Sequence, residues 1–167
     1  GLAYQPEITG ADSIDYEETV KVVEANKSLV KGVKVRAIGP AVPTLGIEMV
    51  RLARRAAEEA DVRMMVHIGD KEIDDGPTLT RDALNLLRPG DILTHLFTPN
   101  AGRVLDDSGK VLPELMEAQE RGVFLDTAFG RYNFSFDVAR RAMDQGVRPL
   151  SISTDITVPG RRNTVHS

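Results

Sequence analysis

Two histidines and an aspartate each close an apolar run: His67 follows Met64-Met65-Val66, His95 follows Asp91-Ile92-Leu93-Thr94, and Asp155 follows Leu150-Ser151-Ile152-Ser153-Thr154. A fourth run, Gly32-Val33-Lys34-Val35-Arg36-Ala37, carries a lysine in the middle of what reads as a buried strand. Ionisable groups in such places cost free energy unless something pairs with them. A metal ion would pair with all four, because neutral imidazole and carboxylate are suitable ligands for zinc and other divalent first-row metals. The chain has no cysteine, so any metal must use nitrogen and oxygen ligands.

Each residue alone has an ordinary reading. His67 and His95 can be histidines hydrogen-bonded at strand ends, Asp155 a turn residue that bonds the following amides, and Lys34 a lysine whose ammonium reaches water. Their joint placement on different runs favours chemistry, since each ordinary reading needs its own coincidence. If Lys34 is buried, the charged ammonium is disfavoured, the neutral amine can add carbon dioxide, and the carbamate oxygens can bridge two cations.

The elements that must position these residues alternate along the chain. Ser13 or Asp15 can cap a helix to about Lys31, and a strand follows at Val33 to Ala37. Gly46 to Ala60 has apolar residues at helical spacing opposite Arg51, Arg54, Arg55, Glu58 and Glu59, which read as a solvated face with i,i+4 pairing. Val62 to Ile68 is a buried strand, Thr78 or Thr80 opens a helix through Leu87, and Arg88-Pro89-Gly90 stops it. Asp91 to Phe97 reads as a third strand and Thr98 to Lys110 as a polar loop. A helix from Leu112 to Arg121, a strand at Val123 to Thr127, a helix from Ser135 to Gln145 and a fifth strand at Leu150 to Ile156 complete the pattern. Five apolar strands, each preceded by a helix, imply parallel pairing with right-handed crossovers. Part of a (β/α)8 barrel and an open doubly wound sheet both accommodate this, and both collect function at the C-terminal ends of the strands.

The 167 residues suffice for one substantial core, so residues 1–167 read as a single domain. A net charge of -4 gives no electrostatic reason to expect nucleic acid or an anionic membrane as partner. No apolar stretch approaches the roughly 20 residues needed to span a bilayer, and a cytoplasmic enzyme acting on a small molecule is the expected class. A complete barrel takes about 250 residues; with the start at Gly1 and the stop at Ser167, the expectation is a part of a longer protein, about five strands of eight.

The order lysine, histidine, histidine, aspartate on successive strands resembles the amidohydrolase superfamily, and the local text resembles its dihydroorotase-like deacetylase branch. The segments that carry the resemblance are Gly32 to Ala37, Met65-Val66-His67-Ile68-Gly69, Leu87 to His95, Gly109-Lys110-Val111-Leu112-Pro113-Glu114, and Ser151 to Asp155. The resemblance implies a distorted (β/α)8 (TIM) barrel with a one- or two-metal site, commonly zinc. It implies Lys34 as a carboxylated bridging ligand, His67 and His95 as ligands of the second metal, and Asp155 as a ligand of the first metal that takes the proton of the attacking water. The implied reaction is hydrolysis of an amide or ester, such as removal of an acetyl group. A cyclic amidase or deaminase on the same fold, as in dihydroorotase or adenine deaminase, is the alternative.

Two departures from that family pattern stand out. Its first strand carries a His-x-His pair, which this sequence lacks, in keeping with a chain that begins at the end of strand three. Its relatives have a histidine-glycine pair in the loop after strand seven, where this chain has Thr127-Ala128-Phe129-Gly130-Arg131-Tyr132-Asn133. Arg131 and Tyr132 are therefore candidate substrate contacts, Arg131 because its planar fork matches a carboxylate. Arg161, Arg162 and His166 read as surface or cap residues, and Asp70 as a group at the rim. A catalytically incomplete fragment that pairs its open edges with another chain, most simply as a homo-oligomer, is a third reading.

Overall fold

The apolar runs pair in chain order, each strand beside the next and parallel to it. In the computed structural model, which describes residues 8–70, 76–130 and 132–156, the order is α1 (Tyr16–Ala25), β1 (Gly32–Arg36), α2 (Val42–Leu45), α3 (Glu48–Glu59), β2 (Arg63–His67), α4 (Gly76–Leu86), β3 (Ile92–Thr94), α5 (Pro113–Glu120), β4 (Phe124–Asp126) and α6 (Phe136–Asp144). The sheet order is β1-β2-β3-β4. Sequential parallel strands with helical crossovers form part of a (β/α)8 barrel.

Local chemistry sets the helix ends. The Asp15 carboxylate accepts from the Glu18 amide at 2.9 Å and caps α1. That helix is shorter than its apolar spacing predicts, because Asn26 donates its side-chain amide to the Val22 carbonyl at 2.8 Å and turns the chain. Ser135 caps α6 by accepting from the Val138 amide.

Strict alternation sorts the strand residues into rows. Val35, Val66, Leu93 and Leu125 pair in register and are buried beneath the helices. On the opposite face stand two rows, Lys34, Met65, Ile92, Phe124 and, one step towards the strand ends, Arg36, His67, Thr94, Asp126. The upper row is covered from His67 to Asp126. The lower one is not: Lys34 is exposed and Phe124 is 45% exposed.

The expected fifth strand, Leu150 to Ile156, forms no ladder. It runs as an extended segment with one parallel bridge, Ser151 to Asp126, and hydrogen bonds from the Thr127, Phe129 and Gly130 amides to the carbonyls of Ser151, Ser153 and Thr154. A positive φ at Asp155 ends the extended run there.

The helix face read as solvated is only partly so. Arg54 is buried and donates to the buried Asp91, whose carboxylate also accepts from the amides of Met64 and Arg88, each at 2.8 Å. Glu58 keeps the expected i,i+4 contact with Arg54 at 3.1 Å and also pairs with Arg88 at 2.5 Å. This network anchors α3 to the N-terminal ends of β2 and β3, away from the strand ends that carry His67 and His95. Among the described residues no helix is long and apolar enough to cross a membrane.

Candidate active site

His67 is the last residue of β2 and belongs to the upper row, so its ring lies on the face of the sheet opposite the helices. His95 follows β3 by one residue. Continued alternation would send it to the helix side, opposite Thr94, but its φ of 65° turns the chain and brings its ring against His67. The ring centres are 3.9 Å apart, inclined by 55°. Asp155 completes the group, with Oδ2 4.0 Å from His95 Nε2 and 41% of its side chain exposed.

Backbone strain concentrates at this point. Of the four described non-glycine residues with positive φ, three are His95, Ala128 (36°) and Asp155 (44°), and His95 lies beside both of the others. The Ala128 carbonyl accepts from His95 Nδ1 at 3.0 Å. Because a carbonyl only accepts, Nδ1 carries the hydrogen, and in the neutral ring Nε2 holds a free lone pair. A Cβ at Gly130 would lie 3.3 Å from Asp155 Oδ2, a tight contact, at a φ of 51° that favours glycine.

The electrostatics keep both rings neutral. Burial pushes the His67 imidazole down from 6.5 to about 2, reinforced by His95, Arg36 and Lys34. Burial also lowers His95, against the opposing pull of the Ala128 carbonyl and the Asp155 carboxylate. The Nε2 atoms of both rings are buried and have no hydrogen-bond partner. Two adjacent neutral imidazoles with unpartnered nitrogens are what a divalent cation requires of its ligands. Among the described residues no group of three or more histidine, aspartate or glutamate side chains is gathered closely enough to hold a metal alone. The chain therefore fits a metal as a partial ligand set.

Of the other expected residues, Lys34, Tyr132 and Asp70 are described. Lys34 stands on the same sheet face, in register with Met65, but it is exposed because nothing described covers the lower row. Its exposure fits the ordinary reading of an ammonium that reaches water, and the burial that a carbamate would need is not supplied by these strands. Tyr132 is 53% exposed, and its carbonyl accepts from Asn100 Nδ2 at 3.4 Å. Asp70 Oδ2 accepts from the Gly39 amide at 2.5 Å, which ties down the turn after β1. Arg131, Arg161, Arg162 and His166 lie outside the described residues.

Sequence reasoning passed over Asp126. This buried carboxylate ends β4 in the same row as His67 and accepts from the hydroxyls of Thr94, Ser151 and Ser153 at 2.7, 2.6 and 2.9 Å. Its signal was available: an aspartate closing Val123-Phe124-Leu125 occupies the place that the two histidines occupy on theirs.

No family model matches the chain. It is 32% identical over 151 residues to a deacetylase of Brucella anthropi, a match spanning 90% of this chain and 36% of that protein. It is 30% identical over 165 residues to a deacetylase of Enterococcus faecalis, covering 98% of this chain and 43% of that one. The crystal structure of an adenine deaminase superposes with a TM-score of 0.85 at 30% identity over 98% of this chain and 44% of that chain. The crystal structure of a dihydroorotase gives a TM-score of 0.75 at 34% identity, over 90% and 40%. The chain thus spans well under half the length of these relatives. Its partial barrel, its paired strand-end histidines and these similarities place it in the amidohydrolase superfamily, beside the deacetylase and dihydroorotase-like members.

Proposed function

We propose that the protein carrying this chain is a metal-dependent hydrolase that cleaves an amide or ester, with an acetyl group as the expected acyl portion. The observation that carries this reading is the pair of buried, neutral, unpartnered Nε2 atoms of His67 and His95 beside the Asp155 carboxylate. His67 and His95 would hold a divalent cation, zinc by preference for nitrogen ligands, with Lys34 joining them if it is carboxylated. When bound, the cation supplies Lewis-acid polarisation of the substrate carbonyl and acidifies water.

The protein's own groups do the rest. Ala128 orients His95 through Nδ1, so that its lone pair faces the site. Asp155, half-exposed and next to His95, takes the proton of the attacking water and returns it to the leaving group. Tyr132, in the loop after β4, and Arg131, which precedes it in sequence, would contact the substrate. The protein acts on a small molecule, in the cytoplasm.

The similarity to an adenine deaminase and a dihydroorotase favours a second reading, a cyclic amidase or deaminase using the same groups. Assays with acyl esters, N-acyl amino acids, dihydroorotate and adenine separate the two. Metal analysis tests both: absence of bound divalent metal, with hydrolysis unaffected by chelation, would sink the proposal. Incorporation of isotope-labelled bicarbonate at Lys34 tests the carbamate.

A third reading, an assembly module, draws on the apolar side chains of Phe124, Leu150 and Ile152, which are 45%, 65% and 85% exposed. Burial of these side chains in a homo-oligomer predicts a sedimentation coefficient above the monomer value.

A further inference from the structure

The segment bearing Asp155 has no ladder, yet it delivers a carboxylate to within 4.0 Å of His95. Backbone bonds from Thr127, Phe129 and Gly130 hold it along its length. Asp126 holds it laterally. One carboxylate oxygen accepts from Ser151, the other from both Thr94 and Ser153. Thr94 immediately precedes His95, and Ser153 lies two residues before Asp155.

We propose that Asp126 is a positioning residue whose carboxylate locks the strand end carrying His95 to the segment carrying Asp155, and so fixes their separation. The inference rests on the reading of Asp155 as the proton acceptor. A carboxylate has about four lone-pair sites, and three here are taken by hydroxyl donors from the two elements it joins. It is buried, which keeps it from acting directly on a substrate.

The distinction between a lock and an acting charge is experimental. Asp126→Asn keeps an oxygen for Thr94 and Ser153, and its amide can donate to the Ser151 hydroxyl. Asp126→Ala removes every bond, and Ser151→Ala with Ser153→Ala removes only those to the Asp155 segment. In the full-length, metal-loaded protein, Asp126→Ala and the double serine variant should each lose about 100-fold in kcat with KM little changed, as for a displaced reacting group. Asp126→Asn should recover to within about threefold of wild type if hydrogen bonding alone is needed.

Hydrogen exchange supplies a readout independent of hydrolysis. The amides of Thr127, Phe129 and Gly130 should exchange at least about tenfold faster in Asp126→Ala and in the double serine variant. Unchanged exchange in these variants overturns the proposal, as does an Asp126→Asn protein as inactive as Asp126→Ala. If Asp126→Ala fails to fold, the double serine variant decides alone. A wild-type protein without hydrolase activity whose variants still show faster exchange defeats the functional reading and leaves the lock standing.

Discussion

The imidazoles of His67 and His95 lie 3.9 Å apart between ring centres although the residues come from neighbouring strands, and only the left-handed backbone at His95 brings them to the same side of the sheet. Two buried bases so close cannot both take protons readily, because like charges at short range disfavour each other. Their neutrality is therefore built into the fold.

Replacement of either histidine by asparagine should remove a ligand. We expect divalent-metal affinity to fall by more than about 100-fold, beyond the effect typical of losing a second-layer partner. Equilibrium dialysis against zinc checks this, and an unchanged affinity in both variants would contradict a shared site.

Asp155→Asn should behave differently. Its kcat should fall by about 100- to 10,000-fold, the usual contribution of a positioned general base, while affinity for the metal held by His67 and His95 changes far less than in the histidine variants. A fall in kcat with bound metal retained, measured on the same samples, is the diagnostic result.

Acid should destabilise the metal-free protein through His67. The unfolded chain takes up a proton near pH 6.5, whereas the folded imidazole resists until about pH 2. Stability is thus complete above pH 6.5 and declines as the pH falls towards 2. Between pH 6.5 and 5 this group alone accounts for about 2 kcal/mol, at about 1.4 kcal/mol per unit. Urea titrations at pH 7 and pH 5 should show wild type losing more than His67→Asn; equal losses would remove His67 as the cause.

The Arg54–Asp91 pair makes a prediction about stability alone. Both side chains are buried, and Asp91 also receives two backbone amides. Arg54→Ala should destabilise by about 3–5 kcal/mol, since it leaves a buried carboxylate without its counter-ion. Chemical denaturation measures this, and metal affinity of the folded fraction should be unchanged.

Strands β1 to β4 were legible because short apolar runs between turn residues have few alternatives, and the helices because their apolar residues recur at helical spacing. The site was legible in types more than in directions. His67 lies where alternation puts it. His95 does not, since a single positive φ reverses its side, and nothing in Leu93-Thr94-His95-Leu96 announces that turn. Arg54 was misread because helical spacing reveals a charged face but not a partner 37 residues away. Lys34 is on the expected face, yet burial depends on what lies across from it, which a strand's own sequence does not encode.

The left-handed backbone shared by His95, Ala128 and Asp155 also bears on engineering. Conformations of this kind typically cost on the order of 1–3 kcal/mol each, so the region is a reservoir of recoverable thermostability. Glycine at position 128 would relax one of these residues, and the same freedom would let the Ala128 carbonyl drift from His95 Nδ1. Selection of the protein for heat resistance alone should therefore drift towards variants that are sturdier and slower.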